Sequence, residues 1–259
     1  MILRPLTGGD VTAGMELSME AGWNQTREDW QRLLAIAPEG CWCVEADGMV
    51  VSTASLATYG DELGWVGMVL TRGAYQRRGF ARKLLERLLD RRPRTVKLDA
   101  TEAGRPLYAS LGFVDEAPIE RWQRTPGRVE AGTGEFGRPD PALDLRAFGA
   151  KRTQLLETLG VGFVSDDGYA LSRPGARAWY LGPCIAGRPG TAESVIRAAL
   201  ARQPNEPWYW DLLPDNREAA VLAAKLGFAP VRRLVRMRLG PPFSGDNALV
   251  YSIAGFEFG

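Results

Sequence analysis

Two stretches of this chain, "RPLYASLGF" ending at Phe113 and "AVLAAKLGF" ending at Phe228, close two segments written to one plan. Duplication constrains the fold strongly, because each copy must form the same set of elements. In the first copy an alternating pattern, "ILRPL", leads through a Thr7-to-Asp10 turn into an amphipathic stretch from Val11 to Ala21, and a second helix follows "GWNQTREDW". "GCWCVEADGMVVSTASLATYG" predicts a hairpin at Asp47-Gly48 and "LGWVGMVL" a further buried strand. "ARKLLERLLDRR" predicts a helix with Leu84, Leu85, Leu88 and Leu89 on one face. From Leu143 the order repeats: a helical stretch, β-rich runs around Asp167-Gly168, the strand "AWYLGPCIA", and a helix carrying Val195, Ile196, Ala199 and Leu200 at the same spacing. "TPGRVEAGTGEFGRPDP", rich in Gly and Pro, reads as a linker. The pattern predicts an α/β chain of two related domains, residues 1–125 and 142–259, joined by a linker over 126–141. Each is expected to be a central mixed β-sheet flanked by helices.

Composition narrows the chemistry. Hydrophobic residues at 45% and charged residues at 24% are ordinary for a soluble globular protein, and no apolar run is long enough to cross a bilayer. "MILRPLTGGD" has neither an apolar leader core nor a cleavage site, so the expected location is the cytoplasm. Cys41 and Cys43 alternate as on one strand and Cys184 stands alone, a spacing that suits neither a zinc knuckle nor a redox pair. The expectation is reduced, partly buried thiols and no metal. Histidine is absent, which leaves proton transfer to Asp, Glu, Tyr, Lys or water. A net charge of +1 argues against a nucleic-acid footprint, and binding through the Arg-rich helix would demand a steep salt dependence.

The stretch "AYQRRGFARKLLERLL" carries the strongest functional signal. Backbone N–H groups at a helix start lack intrahelical partners and sit at the positive end of the helix dipole, so they suit a pyrophosphate. Gly79 allows close approach of the backbone, Ala81 keeps the next position small, and Arg77, Arg78 and Arg82 can bond phosphate oxygens. Arg87, Arg91, Arg92 and Arg94 read as a solvated helix face. Gln76, Gly79 and Ala81, following a strand and opening a helix, resemble the acetyl-CoA-binding motif of the GNAT superfamily of N-acetyltransferases. Leu107 to Phe113 resembles that family's next landmark, L-Y-x-x-x-G-F. The resemblance covers residues 1 to about 125, while the second half looks like the degenerate companion domain of a tandem GNAT subgroup.

The resemblance implies acetyl-CoA as cosubstrate, held by Gln76, Arg77, Arg78, Gly79, Phe80, Ala81 and Arg82. A strand bulge at Val69, Leu70 and Thr71 would face the thioester and pantetheine. It implies direct transfer to an amine in a ternary complex, with Tyr108 protonating the departing sulfur. Tyr108 also reads as a core aromatic. Asp99 is either a base acting through water or an ordinary turn or cap aspartate. Glu20, Trp23 and Asn24 fall where the family walls its acceptor cleft, although Trp23 equally suits core packing, and Trp208, Tyr209 and Trp210 can simply pack a strand face. Thr101 and Gly104 stand where the family's closing phrase has Asn and Ala. The second copy keeps Asn216, Ala219 and Leu222 but has Ala223 in place of the tyrosine, and Pro189 removes a donor from its shortened loop. The first copy is therefore expected to carry the chemistry and the second to be structural or substrate-shaping. The expected function is N-acetylation of a small-molecule amine. The alternative is a non-catalytic acetyl-CoA-binding regulator or scaffold. Two packed halves in one chain can mimic a dimer, so a monomer is expected.

Overall fold

The computed structural model describes residues 1–90 and 92–259; Arg91, part of the arginine run, lies outside the described residues. The first half runs β1 (Ile2–Pro5), α1 (Val11–Glu20), α2 (Arg27–Ile36), β2 (Cys41–Ala46), β3 (Met49–Tyr59), β4 (Leu63–Thr71), α3 (Phe80–Leu89), β5 (Thr95–Ala100), α4 (Arg105–Ala109) and β6 (Val114–Arg124). The second runs β7 (Glu135–Gly137), α5 (Pro141–Phe148), α6 (Thr153–Leu159), β8 (Gly162–Ser165), β9 (Gly168–Arg173), β10 (Trp179–Ala186), α7 (Pro189–Ala201), β11 (Trp208–Leu212), α8 (Arg217–Lys225), β12 (Ala229–Leu239) and β13 (Val250–Ser252). Repeated helix faces make repeated cores. Leu84, Leu85 and Leu88 of α3 pack on Val51, Val96 and Leu98, while Val195, Ile196 and Ala199 of α7 pack on Leu181, Trp208 and Trp210. No helix among the described residues is long and apolar enough to cross a membrane.

The first hairpin turns at Asp47-Gly48, both with positive φ (53° and 74°), as a two-residue primed turn requires. The second is displaced by one residue from the sequence expectation. Ser165 pairs with Gly168, so the turn is Asp166-Asp167 and Gly168 belongs to β9. Packing explains the glycine: a Cβ there would lie 2.6 Å from Thr191 Cγ2 on α7. The stretch expected as a linker contains β7, and Thr133 within it bonds Ser194 of α7.

The halves exchange their closing strands. β6 runs antiparallel to β11 of the second half, and β12 runs antiparallel to β5 of the first. β6 and β12 also pair with each other, which merges everything into a 13-stranded sheet. A repeated ion pair marks each exchange. Asp99 on β5 faces Arg236 on β12, and Asp211 on β11 faces Arg121 on β6, in register across the strands. The Arg236 guanidinium donates to both Asp99 oxygens (2.8 and 3.1 Å), and that of Arg121 donates to both Asp211 oxygens (2.7 and 2.6 Å). Buried two-point pairs of this kind enforce register, since a slip would leave charges unpaired.

Candidate active site

β4 and β5 run parallel only from Leu63↔Thr95 to Trp65↔Lys97 and then diverge. A cavity of about 530 Å³ opens in the gap, lined on one side by Val66 to Val69 and on the other by Leu98, Asp99 and Thr101. A bulge breaks β4 at its rim. Between the pairs Ser55↔Gly67 and Thr53↔Leu70, Met68 and Val69 both oppose Ala54, and Met68 takes a φ of 50°. The Thr53 hydroxyl donates to the Met68 carbonyl and the Ser52 hydroxyl to the Leu70 carbonyl, each at 2.8 Å. An extra residue in a strand leaves backbone groups unpaired with the neighbour. Here they lie beside the cavity.

Beyond β4 the chain passes Gln76 and Arg77, and Gly79 with a φ of 79° starts α3. A Cβ on Gly79 would meet nothing within 4 Å, so the positive φ alone explains the glycine, and the space over the helix start is open. Gln76, Arg77, Gly79, Phe80, Ala81 and Arg82 line the cavity, as do Val69 and Thr71. Leu70 points its side chain into the core, and the Arg78 guanidinium donates to the Ala74 carbonyl and stacks on Tyr75. Tyr108 reaches the cavity from α4, and its hydroxyl has no hydrogen-bond partner among the described residues. Burial pushes its phenol further above the ordinary range, so it stays protonated at neutral pH. Thr101 accepts from the Gly104 N–H at 3.1 Å.

The remaining sequence candidates separate. Trp23 is half-buried on the core and also lines the cavity. Asn24 points elsewhere: its amide donates to the Ala178 carbonyl and accepts from the Arg177 and Ala178 N–H groups, clasping the two halves. Glu20 accepts from the Gly73 N–H at 2.6 Å and pairs with Arg72. Asp99 borders the cavity, but both its oxygens are held by Arg236. Burial raises its carboxyl and Arg236 opposes that rise. Among the described residues, no cluster of His, Cys, Asp or Glu is arranged for a metal ion.

Residues 37–115 match a family model described as an acetyltransferase (GNAT) domain, and residues 141–252 match a second with the same description. The chain belongs to the GNAT acetyltransferase family. Its members bind acetyl-CoA and an acceptor substrate and transfer an acyl group between them. Whole-chain likeness supports a tandem GNAT architecture. A provisionally assigned acetyltransferase from Pyrococcus horikoshii superposes with a TM-score of 0.86 at 24% identity, over 100% of this chain and 95% of that one. A tandem GNAT protein from the clavulanic acid biosynthesis pathway gives 0.66 at 18%, over 93% and 99%. A GCN5-related N-acetyltransferase from Sphaerobacter thermophilus gives 0.62 at 17%, over 94% and 98%. A search of curated proteins finds no significant match.

The second GNAT copy has the same cleft, filled by the protein itself. β10 and β11 pair from Trp179↔Trp208 to Leu181↔Trp210 and then part, and β13 enters the gap beside β10. Asn216 donates to the Val250 carbonyl at 2.9 Å, the Trp210 indole to the Tyr251 carbonyl at 2.7 Å, and Ser252 to the Leu181 carbonyl at 2.7 Å. At the start of α7, where a phosphate would sit, stands a carboxylate. Asp167 accepts from the Thr191 hydroxyl at 2.7 Å and pairs with Arg188 at 3.0 Å. Ala223 is buried at the place of the tyrosine.

Sequence reasoning missed the far wall of the GNAT cavity. Gln25, Arg121, Arg232, Leu234, Phe256 and Glu257 line it. Gln25 comes from the segment between α1 and α2, Arg121, Arg232 and Leu234 from the exchanged strands β6 and β12, and Phe256 and Glu257 from the tail beyond β13. The recurrence of an aspartate in "TVKLDA" and "WYWDLL" was a usable signal for the exchange, but no local pattern marks the tail.

Proposed function

We propose that this protein is an N-acetyltransferase that moves the acetyl group of acetyl-CoA directly to the amine of a small molecule. The observation that carries the reading is the joining, in one cavity, of a bulged and splayed β4, the Gly79-led start of α3 and the Tyr108 hydroxyl. The residues fit the cosubstrate. The α3 N–H groups, with Arg77 and Arg82, would hold its pyrophosphate, and the backbone at Val69 would meet its pantetheine. When bound it supplies an activated thioester: a C–N bond forms, the C–S bond breaks, and CoA leaves as the thiol with one proton released overall from the ammonium. Tyr108 is the cavity group suited to give the departing sulfur its proton.

The test is a calorimetric titration of acetyl-CoA followed by a thiol-release assay over an amine panel. We expect one site per chain, abolished by Gly79→Pro in a folded variant, and amine-dependent thiol release. Tyr108→Phe should keep acetyl-CoA affinity and lower kcat by roughly 10²–10⁴-fold, the usual worth of a general acid. Binding without turnover of any amine, and indifference to Tyr108→Phe, would instead favour a non-catalytic acetyl-CoA sensor.

A further inference from the structure

The part of the cavity lined by β6, β12 and the tail carries two unlike charges, Glu257 and Arg232. Glu257 is 4% exposed, and its backbone lies against β4, where a Cβ on Gly67 would come 2.8 Å from Glu257 Cα. Glu257 Oε2 accepts from Gln25 Nε2 at 3.1 Å, and Oε1 stands 3.5 Å from Arg173 Nη2 on β9. That arginine is closer to another carboxylate, Asp29 on α2, at 3.0 Å, which Arg32 holds at 2.6 Å. Tyr180 of β10, Arg121 of β6 and Tyr59 of β3 are the other charged and titratable groups around Glu257. Burial raises the Glu257 carboxyl, Arg173 and Arg121 oppose the rise, and Asp29 adds to it. Gln25 is itself 9% exposed, and its Oε1 is buried with no hydrogen-bond partner among the described residues. A carboxylate that shares its arginine with Asp29 and an orphan carbonyl both leave room for further N–H donors.

The cation lining the same cavity is Arg232. Arg121, its cross-strand neighbour, is neutralised by Asp211, whereas Arg232 has neither an ion pair nor a hydrogen bond among the described residues. Although the residue is exposed, partial desolvation of its guanidinium and the nearby Arg121 charge lower its pKa while Asp211 and Tyr209 oppose the fall, and an anion beside it would offset it further. Trp23 and Phe256 supply apolar walls.

We propose that this part of the cavity selects an amino carboxylate, such as a free amino acid, over a simple amine or polyamine. Its ammonium sits on Glu257 and Gln25 Oε1 and its carboxylate on Arg232. Glu257 takes one ammonium proton, becoming the neutral acid while the amine gains the lone pair that attacks the thioester. The proton then passes to solvent. Asp99, locked by Arg236, has no part in this transfer. The inference rests on the acetyl-transfer reading above.

The experiment compares amino acids with their decarboxylated amines and with a polyamine in the thiol-release assay, after acetyl-CoA binding has been measured separately. Wild type should favour each amino carboxylate by about tenfold or more in kcat/KM, as expected for one charge-assisted contact. Arg232→Gln, at an exposed position, should raise the KM for amino carboxylates by about tenfold relative to that for simple amines, narrowing the preference. Glu257→Gln should lower kcat by about 10²-fold or more and remove the acidic limb of the pH profile, in which activity rises with pH as Glu257 loses its proton, above the ordinary glutamate range. Glu257→Asp should restore part of the rate. Equal turnover of amines and amino carboxylates, or an Arg232→Gln variant with unaltered preference, overturns the proposal and leaves acetyl transfer standing. An unchanged pH profile in Glu257→Gln overturns the role of that carboxylate as base. Acetyl-CoA binding with no amine turned over, or no binding at all, removes the underlying reading and this proposal with it.

Discussion

Tyr108 and Asp99 stand on successive elements beside one cavity, and what separates them is the company each keeps. The Tyr108 hydroxyl has no hydrogen-bond partner among the described residues, whereas both Asp99 oxygens are held by Arg236. The same pair recurs as Arg121 and Asp211 in the copy whose cleft is filled, which argues for a structural duty. Arg236→Leu should therefore leave a buried carboxylate unpaired and cost roughly 3–5 kcal/mol, read as a fall in the denaturant midpoint. The double variant Arg236→Leu/Asp99→Leu should recover most of that loss. If Asp99→Asn instead abolishes turnover while the midpoint holds, Asp99 is the base. The residue types were legible in the sequence, but a partner 137 positions away was not.

At the scale of elements, identical patterns were put to different uses. α3 and α7 share an apolar spacing and pack alike, yet the start of α3 opens on a cavity while at the start of α7 the Asp167 carboxylate takes the Thr191 hydroxyl and the Arg188 guanidinium. The Asp-Gly pair makes the turn in one hairpin; in the other the turn is Asp166-Asp167, the Asp167 side chain reaches Thr191, and Gly168 admits the helix. Asp167→Ala should cost about 0.5–1.5 kcal/mol in thermal or denaturant unfolding, the usual net worth of one hydrogen bond, since the ion pair with Arg188 is exposed and adds little. It should create no second acetyl-CoA site, because β13 still fills the cleft. A calorimetric stoichiometry of two in this variant would show that Asp167 alone blocks the copy.

At the scale of the molecule, the exchange of β6 and β12 makes each half part of the other. Tyr59 and Trp65 of the first half also bond the tail, donating to the Phe258 and Phe256 carbonyls at 2.7 and 3.0 Å. The full chain should unfold in one transition, with tryptophan fluorescence and far-ultraviolet circular dichroism coincident. Residues 1–125 expressed alone leave β5 without β12 and should fail to give a cooperative fold. A soluble 1–125 fragment that melts cooperatively and binds acetyl-CoA would show the exchange to be dispensable.

What the sequence determined by itself was local: the duplicated order of elements, the helix faces, the first turn, and the Gly79 loop with Tyr108 in the family phrase. Those signals lie within a few residues of one another, where propensity and periodicity act directly. Tertiary structure alone decided that the closing strands trade places, that β13 fills the second cleft, and that Gln25, Arg232 and Glu257 line one cavity. The physical reason is that burying a charge or a strand edge is favourable only once its partner has arrived, and here the partners come from opposite ends of the chain.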